Sequence, residues 1–207
     1  NPQPMVGFPR VRYIRPTVSD PRIVVGEYSY YDDPDPQADF IRQVLYHYPF
    51  STDRLVIGKF CAIATGVKFI MNGANHLMDA FSTYPFYIFG NGWEAGMPAP
   101  EAFPNKGDTV IGHDVWIGYE ALIMPGVQIG NGAIIAARSV VTGPIPAYCL
   151  AGGNPARVIR PRFAPEVIAA LERLAWWHWE PAKITRHLRA IMATDIAALQ
   201  AAEYDPG

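Results

Sequence analysis

The stretch VIGHDVWIGYEALIMPGVQIGNGAIIAARSVV, Val110 to Val141, places Ile111, Ile117, Ile123, Ile129, Ile135 and Val141 at a constant interval of six residues. Two residues before each stand Thr109, Val115, Ala121, Val127, Ala133 and Ser139, all small or β-branched, and Gly112, Gly118 and Gly130 directly follow three of them. A helix repeats every 3.6 residues and a half-buried strand every 2, so neither accounts for the spacing. A branched apolar residue, a turn-permissive glycine and a second small inward residue in each block of six are what a short flat strand and a tight corner require. Each hexapeptide is predicted to form one face of a parallel β-helix, with coils ~4.8 Å apart and the isoleucine column buried along the axis.

The same phase continues upstream in Ile57, Ile63 and Phe69, with Cys61 and Val67 at the small inward positions, and breaks at Asn75. Leu77 to Asp108 has no six-residue register. Its aromatic segments, Tyr84-Pro85-Phe86 and Gly90-Asn91-Gly92-Trp93 among them, argue for an ordered, functional excursion. Asn1 to Arg22 reads as an extended arm, Ile23 to Tyr31 as one isolated coil, and Phe40 to Tyr46 as one or two helical turns ending before Pro49. Pro165-Glu166 opens an amphipathic helix bearing Val167, Ile168, Leu171 and Leu174, with Trp176, Trp177 and Trp179 at its end. A second helix begins at Pro181, and a third is expected over Ile196 to Glu203. The domain boundaries predicted are 1–160 for the β-helix, with its excursion at 77–108, and 161–207 for helices that cap its open end.

With 50% hydrophobic and 17% charged residues, the 207-residue chain can bury a full core. A formal charge of -2, without a run of basic residues, predicts neither nucleic acid nor an anionic membrane as partner. No apolar run reaches the ~20 residues of a membrane span. Cys61 and Cys149 match no metal or redox motif, so no metal is expected, and a reducing, cytoplasmic location fits best. Asn1-Pro2-Gln3-Pro4 has no apolar signal core, and the missing initiator Met is expected of a trimmed or partial N-terminus.

Of five histidines, His47, His113, His178 and His187 read as surface or packing residues. His76 stands in Asn72-Gly73-Ala74-Asn75-His76, where the coil stops and the excursion leaves, a place where a rigid scaffold presents reactive groups. A neutral imidazole so placed can remove a proton at pH 7.

The hexapeptide repeat resembles the left-handed β-helix acyltransferases. Phe69 to His76, Ser82-Thr83-Tyr84-Pro85-Phe86, Asp114 to Gly118, Ile123 to Val127 and Gly152 to Ala156 are similar to the xenobiotic acetyltransferases. Val25 to Tyr31, Leu45 to Pro49 and Phe89 to Trp93 bring the chain nearest to the virginiamycin (streptogramin A) acetyltransferases. The resemblance, from about Ile23 to Trp179, implies a mainly β, left-handed parallel β-helix and a homotrimer with active sites between subunits. It implies acetyl-CoA as donor, a hydroxyl of a streptogramin A antibiotic as acceptor, and direct transfer in a ternary complex with His76 as general base. Cys61 is read as a core residue, not an acyl carrier.

By the same resemblance Tyr30 and Tyr48 contact the acceptor or pack under the arm, and Trp116 lies near both substrates or covers the groove between subunits. Met97 and Phe103 are candidate walls of an apolar acceptor pocket. Tyr119, Ala137 and Thr142 are expected along the pantetheine arm. Arg157 and Arg160, with Arg162, pair with the CoA phosphates or form a solvated basic segment. The chain departs from the family at Ala80-Phe81, at Asp32 to Asp39 and at Ala64-Thr65-Gly66, and the first two bear on the acceptor more than on acetyl transfer. The alternative acceptors are chloramphenicol or another hydroxylated metabolite; the reading from a different class is a non-catalytic β-helix scaffold.

Overall fold

The computed structural model describes residues 3–35, 37 and 39–205; the expectations for Asn1-Pro2 in the arm and for Pro36 and Ala38 in the Asp32 to Asp39 turn lie outside them. The chain winds a left-handed β-helix of triangular section. The first face stacks Ile23–Val25, Leu55–Ile57, Thr109–Ile111 and Gln128–Ile129, and the third stacks Val44–Leu45, Lys68–Ile70, Leu122–Ile123 and Val140–Val141. The second carries Tyr30–Asp32, Ala62–Ile63, Trp116–Ile117, Ile134–Ile135 and Cys149–Gly153. All these strands pair in parallel; antiparallel strands close the two edges of the second face, Val11–Tyr13 on one side and Ala156–Pro161 on the other.

Every inward position of the repeat is buried, the isoleucine column and the small residues two places before it alike. Hydroxyl groups at these small positions bond to the main chain of their own or the next coil. Thr109 Oγ1 accepts the Gly126 N–H at 3.0 Å, and Ser139 Oγ donates to the Ala136 carbonyl at 2.7 Å. Neither of these buried hydroxyl oxygens is left without a hydrogen-bond partner. The Cys61 thiol is fully buried and burial pushes its pKa up to about 11, so it packs as a small apolar group.

The corner glycines serve a purpose other than the expected turn. The left-handed residue of a corner stands two places later, at Tyr28 (φ 64°), Phe60 (φ 61°), Asp114 (φ 55°) and Glu120 (φ 55°). Gly26, Gly58 and Gly112 lie where successive coils touch: a Cβ on Gly58 would sit 2.5 Å from the Gly112 carbonyl oxygen, and one on Gly26 2.5 Å from the Gly58 carbonyl carbon. It is the approach between coils, not turn geometry, that excludes a side chain.

Three other expectations change. Ile23 to Tyr31 is the first coil itself, paired directly with Leu55–Ile57 and Ala62–Ile63. Phe40–Gln43 makes a single 3-10 turn capped by the Asp39 side chain, after which Val44–Leu45 joins the third face; buried Val44 pairs with Phe69, and that packing overrides the helical pattern. The arm is docked, with Ile14 in the core and Val11–Tyr13 in the sheet.

Helices α1 (Pro165–Leu174), α2 (Pro181–Ile191) and α3 (Ile196–Glu203) form as predicted. They meet the prism along the corner between its first and second faces, not across an open end. Trp176 packs on Phe60 (5.0 Å), Trp177 stacks on His113 (5.3 Å, 8°), and Arg162 lies over Tyr148 while donating to the Gly132 carbonyl at 2.5 Å. The aromatic corner residues Phe60, His113 and Tyr148 offer that apolar strip, and the tryptophans cover it.

Candidate active site

His76 follows the turn at which the third face would hand over to the first. Asn72–Ala74 form a 3-10 turn, and Gly73 is compelled there, since a Cβ would overlap the Tyr46 carbonyl oxygen and lie 2.6 Å from the Tyr48 ring. The His76 ring is exposed, and its Nδ1 lies 2.9 Å from the Thr83 carbonyl oxygen. A carbonyl can only accept, so Nδ1 carries a proton, and in the neutral ring Nε2 is the nitrogen with the free lone pair. That is the tautomer a base requires.

Tyr48 stands beside this turn, stacked on Phe50 at 5.2 Å and edge-on to Tyr46 at 6.5 Å. The residue between these tyrosines points the other way. His47 is 4% exposed with Nε2 3.0 Å from Asp20 Oδ2, and the Arg22 main-chain N–H, with its guanidinium and His47, holds the Asp20 carboxyl down to about 2. Arg22 Nη1 also donates to the Tyr48 carbonyl at 2.7 Å, so this group pins the tyrosine loop to the arm.

The excursion contains three short 3-10 turns, Phe86–Ile88, Trp93–Gly96 and Pro100–Ala102. Its rings gather on one another: Tyr84 on Phe86 (4.7 Å) and Phe89 (5.2 Å), Phe86 on Trp93 (5.3 Å), Phe103 on Tyr87 (5.9 Å). Met97, like most of these rings, remains exposed. An apolar surface is thereby held out from the prism above the His76 corner.

Tyr30 and Trp116 lie elsewhere, on the outward side of the second face, which is opposite that corner in a triangular section. Tyr30 pairs with Ala62 and Ala62 with Trp116, so the two rings are two coils apart in one outward column, and Trp116 is 54% exposed. Tyr119 and Ala137 occupy successive coils at the corner leading off this face: the Arg138 N–H donates to the Tyr119 carbonyl at 2.8 Å, and Arg138 bonds Glu120 and overlies the Tyr119 ring. Thr142 is at the His76 corner. Arg157 and Arg160 project from the exposed strand Ala156–Pro161, each donating one Nη1 bond to an adjacent main-chain carbonyl. Arg162, by contrast, is engaged with Gly132 and Tyr148 in seating the helices.

One chain therefore brings together His76, Tyr48 and the excursion, with Thr142 two coils further along the same corner, and places Tyr30, Trp116, Tyr119 and Ala137 separately, on the second face and the corner leading off it. The sequence offered no sign of the Thr83 carbonyl, because a main-chain atom has no residue signature, nor of buried Asp53, which lies in no motif.

Residues 108–143 match the family described as bacterial transferase hexapeptide (six repeats). The chain is 49% identical over 197 residues, 95% of its length and 89% of the relative's, to a virginiamycin A acetyltransferase of Staphylococcus aureus. It is 55% identical over 152 residues, 73% of this chain and 84% of the relative, to a probable macrolide acetyltransferase of Lysinibacillus sphaericus. A chloramphenicol acetyltransferase of Klebsiella aerogenes is 41% identical over 185 residues, 88% of each chain.

Proposed function

Because the chain belongs to the hexapeptide-repeat acetyltransferases, we propose that it transfers an acetyl group from acetyl-CoA to a hydroxyl of a streptogramin A antibiotic, with His76 as the general base. The observation that carries this reading is the exposed His76 ring, whose Nδ1–H is engaged by the Thr83 carbonyl and whose Nε2 is left to accept a proton. Similarity to the virginiamycin A enzyme over nearly the whole chain supports the acceptor.

Acetyl-CoA supplies the activated acetyl group as a thioester. Ala137, exposed and without bulk, suits a pantetheine arm along the corner beside Tyr119, and Arg157 and Arg160 are exposed cations suited to its phosphates. Thr142 would reach the arm from the other corner. His76 Nε2 takes the proton of the acceptor hydroxyl while the excursion, through Met97 and Phe103, and Tyr48 enclose an apolar acceptor. Tyr30 and Trp116 complete the site from a neighbouring copy: their separation from His76 within one chain supports a site between subunits of a closed homotrimer.

The test is thiol release from acetyl-CoA with virginiamycin M and, in parallel, chloramphenicol. Wild type should acetylate virginiamycin, and His76→Ala should lose ~10²-fold or more in kcat. Turnover of chloramphenicol instead would shift the acceptor to that of the 41% identical relative. Inertness toward both drugs with acetyl-CoA still bound would remove the streptogramin assignment and keep the donor site; failure to bind acetyl-CoA would leave a non-catalytic scaffold.

A further inference from the structure

The two stems of the excursion are sewn together by side chains that the acetyl-transfer reading does not use. Asn72 Oδ1 accepts the Lys106 N–H at 2.9 Å and an Asn75 Nδ2–H at 3.0 Å, while Asn72 Nδ2 donates to the Gly107 carbonyl at 3.0 Å. Asn75 Nδ2 also donates to the Pro104 carbonyl at 2.8 Å. Beneath them the carboxylate of Asp53, 2% exposed, accepts the Asn72 N–H at 2.9 Å through Oδ2 and the Ser51 hydroxyl through Oδ1. Asn72 is itself buried.

From this geometry we infer that Asp53, Asn72 and Asn75 form a clasp that sets the position and tautomer of His76; the inference rests on the general-base reading. These are positioning residues, because they act through the turn and touch no reacting atom. Asp53 fixes where the outgoing stem leaves the coil. Asn72 and Asn75 fix the returning stem against it, so the loop between them has one closure and the Thr83 carbonyl is presented to Nδ1 of His76. Without the clasp each stem keeps its own turn, but the excursion from His76 to Pro104, which carries Thr83, loses its fixed ends. The imidazole is then free to rotate, and in water a neutral imidazole divides its proton between both nitrogens. Amide and carboxylate are chosen for their reach. Asn72 bridges a donor and an acceptor of the opposite stem at once, which an ionised Asp, with no hydrogen to donate, does not.

The test is histidine 15N NMR of the full-length protein with the kinetics measured alongside. The His76 signals are assigned by their disappearance in His76→Ala. In wild type, above the pKa of the ring, Nδ1 should be protonated and Nε2 bare; a protonated Nε2 would overturn the inference at once. Asn72→Ala and Asp53→Ala should turn His76 toward a mixture of tautomers and lower kcat ~10- to 100-fold, with the KM for acetyl-CoA and the signals of the other four histidines unchanged. Asp53→Asn should restore both readouts, since its amide oxygen still accepts the Asn72 N–H and its NH₂ donates to the Ser51 hydroxyl. If either alanine variant does not fold, Asn75→Ala, which cuts only the tie to Pro104 and the Asn72 amide, replaces it with the same expected change of tautomer. Folded variants with the wild-type His76 tautomer and kcat would refute the clasp. The two readings fail separately: full activity in His76→Ala would remove the base and leave the clasp's tautomer readout standing.

Discussion

His113 and Asp114, adjacent at one corner, have pKa values displaced in opposite directions. Burial first, then the nearby His178 and Lys59 charges, pull His113 down to about 4; its Nδ1 accepts the Lys59 N–H at 2.9 Å and its ring stacks on Trp177. Burial pushes Asp114 up to about 6, partly opposed by Arg162. Between pH 6.5 and 4 the unfolded chain protonates this histidine and the fold does not, so the His113 contribution is present above 6.5 and lost as pH falls. Asp114 runs the other way: its contribution is present below 3.8 and lost as pH rises through 6. The pair largely cancels across that window. Asp114→Asn, which tolerates the left-handed backbone, should raise stability at pH 7 on the order of 1 kcal/mol and uncover a steep acid-side loss below pH 6.5. Thermal melts from pH 4.5 to 8 measure both, and no gain at pH 7 would mean the carboxylate is already solvated.

At the level of the coil, packing between neighbours decides which residues are allowed. Gly58→Ala should cost about 1–3 kcal/mol because its Cβ meets the Gly112 backbone, whereas Gly143→Ala, with nothing within 4 Å, should be neutral; denaturant midpoints compare them. The inward residues were legible because every sixth one shares a single environment. The glycines were also visible, but one coil's sequence does not say how closely the next approaches. Phe40 to Leu45 misled because the first coil's enlarged corner displaces Val44 from the six-residue rhythm. The destination of Trp176 and Trp177 was illegible for a similar reason: their receiving strip is assembled from Phe60, His113 and Tyr148, residues far apart in the chain. Of the candidate site, His76 could be singled out from its position, while its contact with the Thr83 carbonyl and the Asp53 carboxylate beneath its turn exist only after folding.

For the whole molecule, the separation of the His76 corner from the Tyr30–Trp116 column makes a prediction that single-chain variants cannot test. If the proposed homotrimer forms, co-assembled His76→Ala and Trp116→Ala chains, each expected to be nearly inactive alone, should regain activity, because a site formed by His76 of one chain and Trp116 of the other is intact. Random assembly around a three-fold axis gives about a quarter of wild-type sites. No recovery after co-refolding would place both residues in one subunit's site. No helix among the described residues is long and apolar enough to cross a membrane. The excursion departs from a prism that has already closed beneath it: Leu55 pairs with Thr109 and Ile57 with Ile111, as if the intervening loop were not there. The loop is thus a parenthesis in the coil. Its length and aromatic content can drift by insertion or replacement while the scaffold's register stays fixed, so a change of acceptor need not disturb the fold.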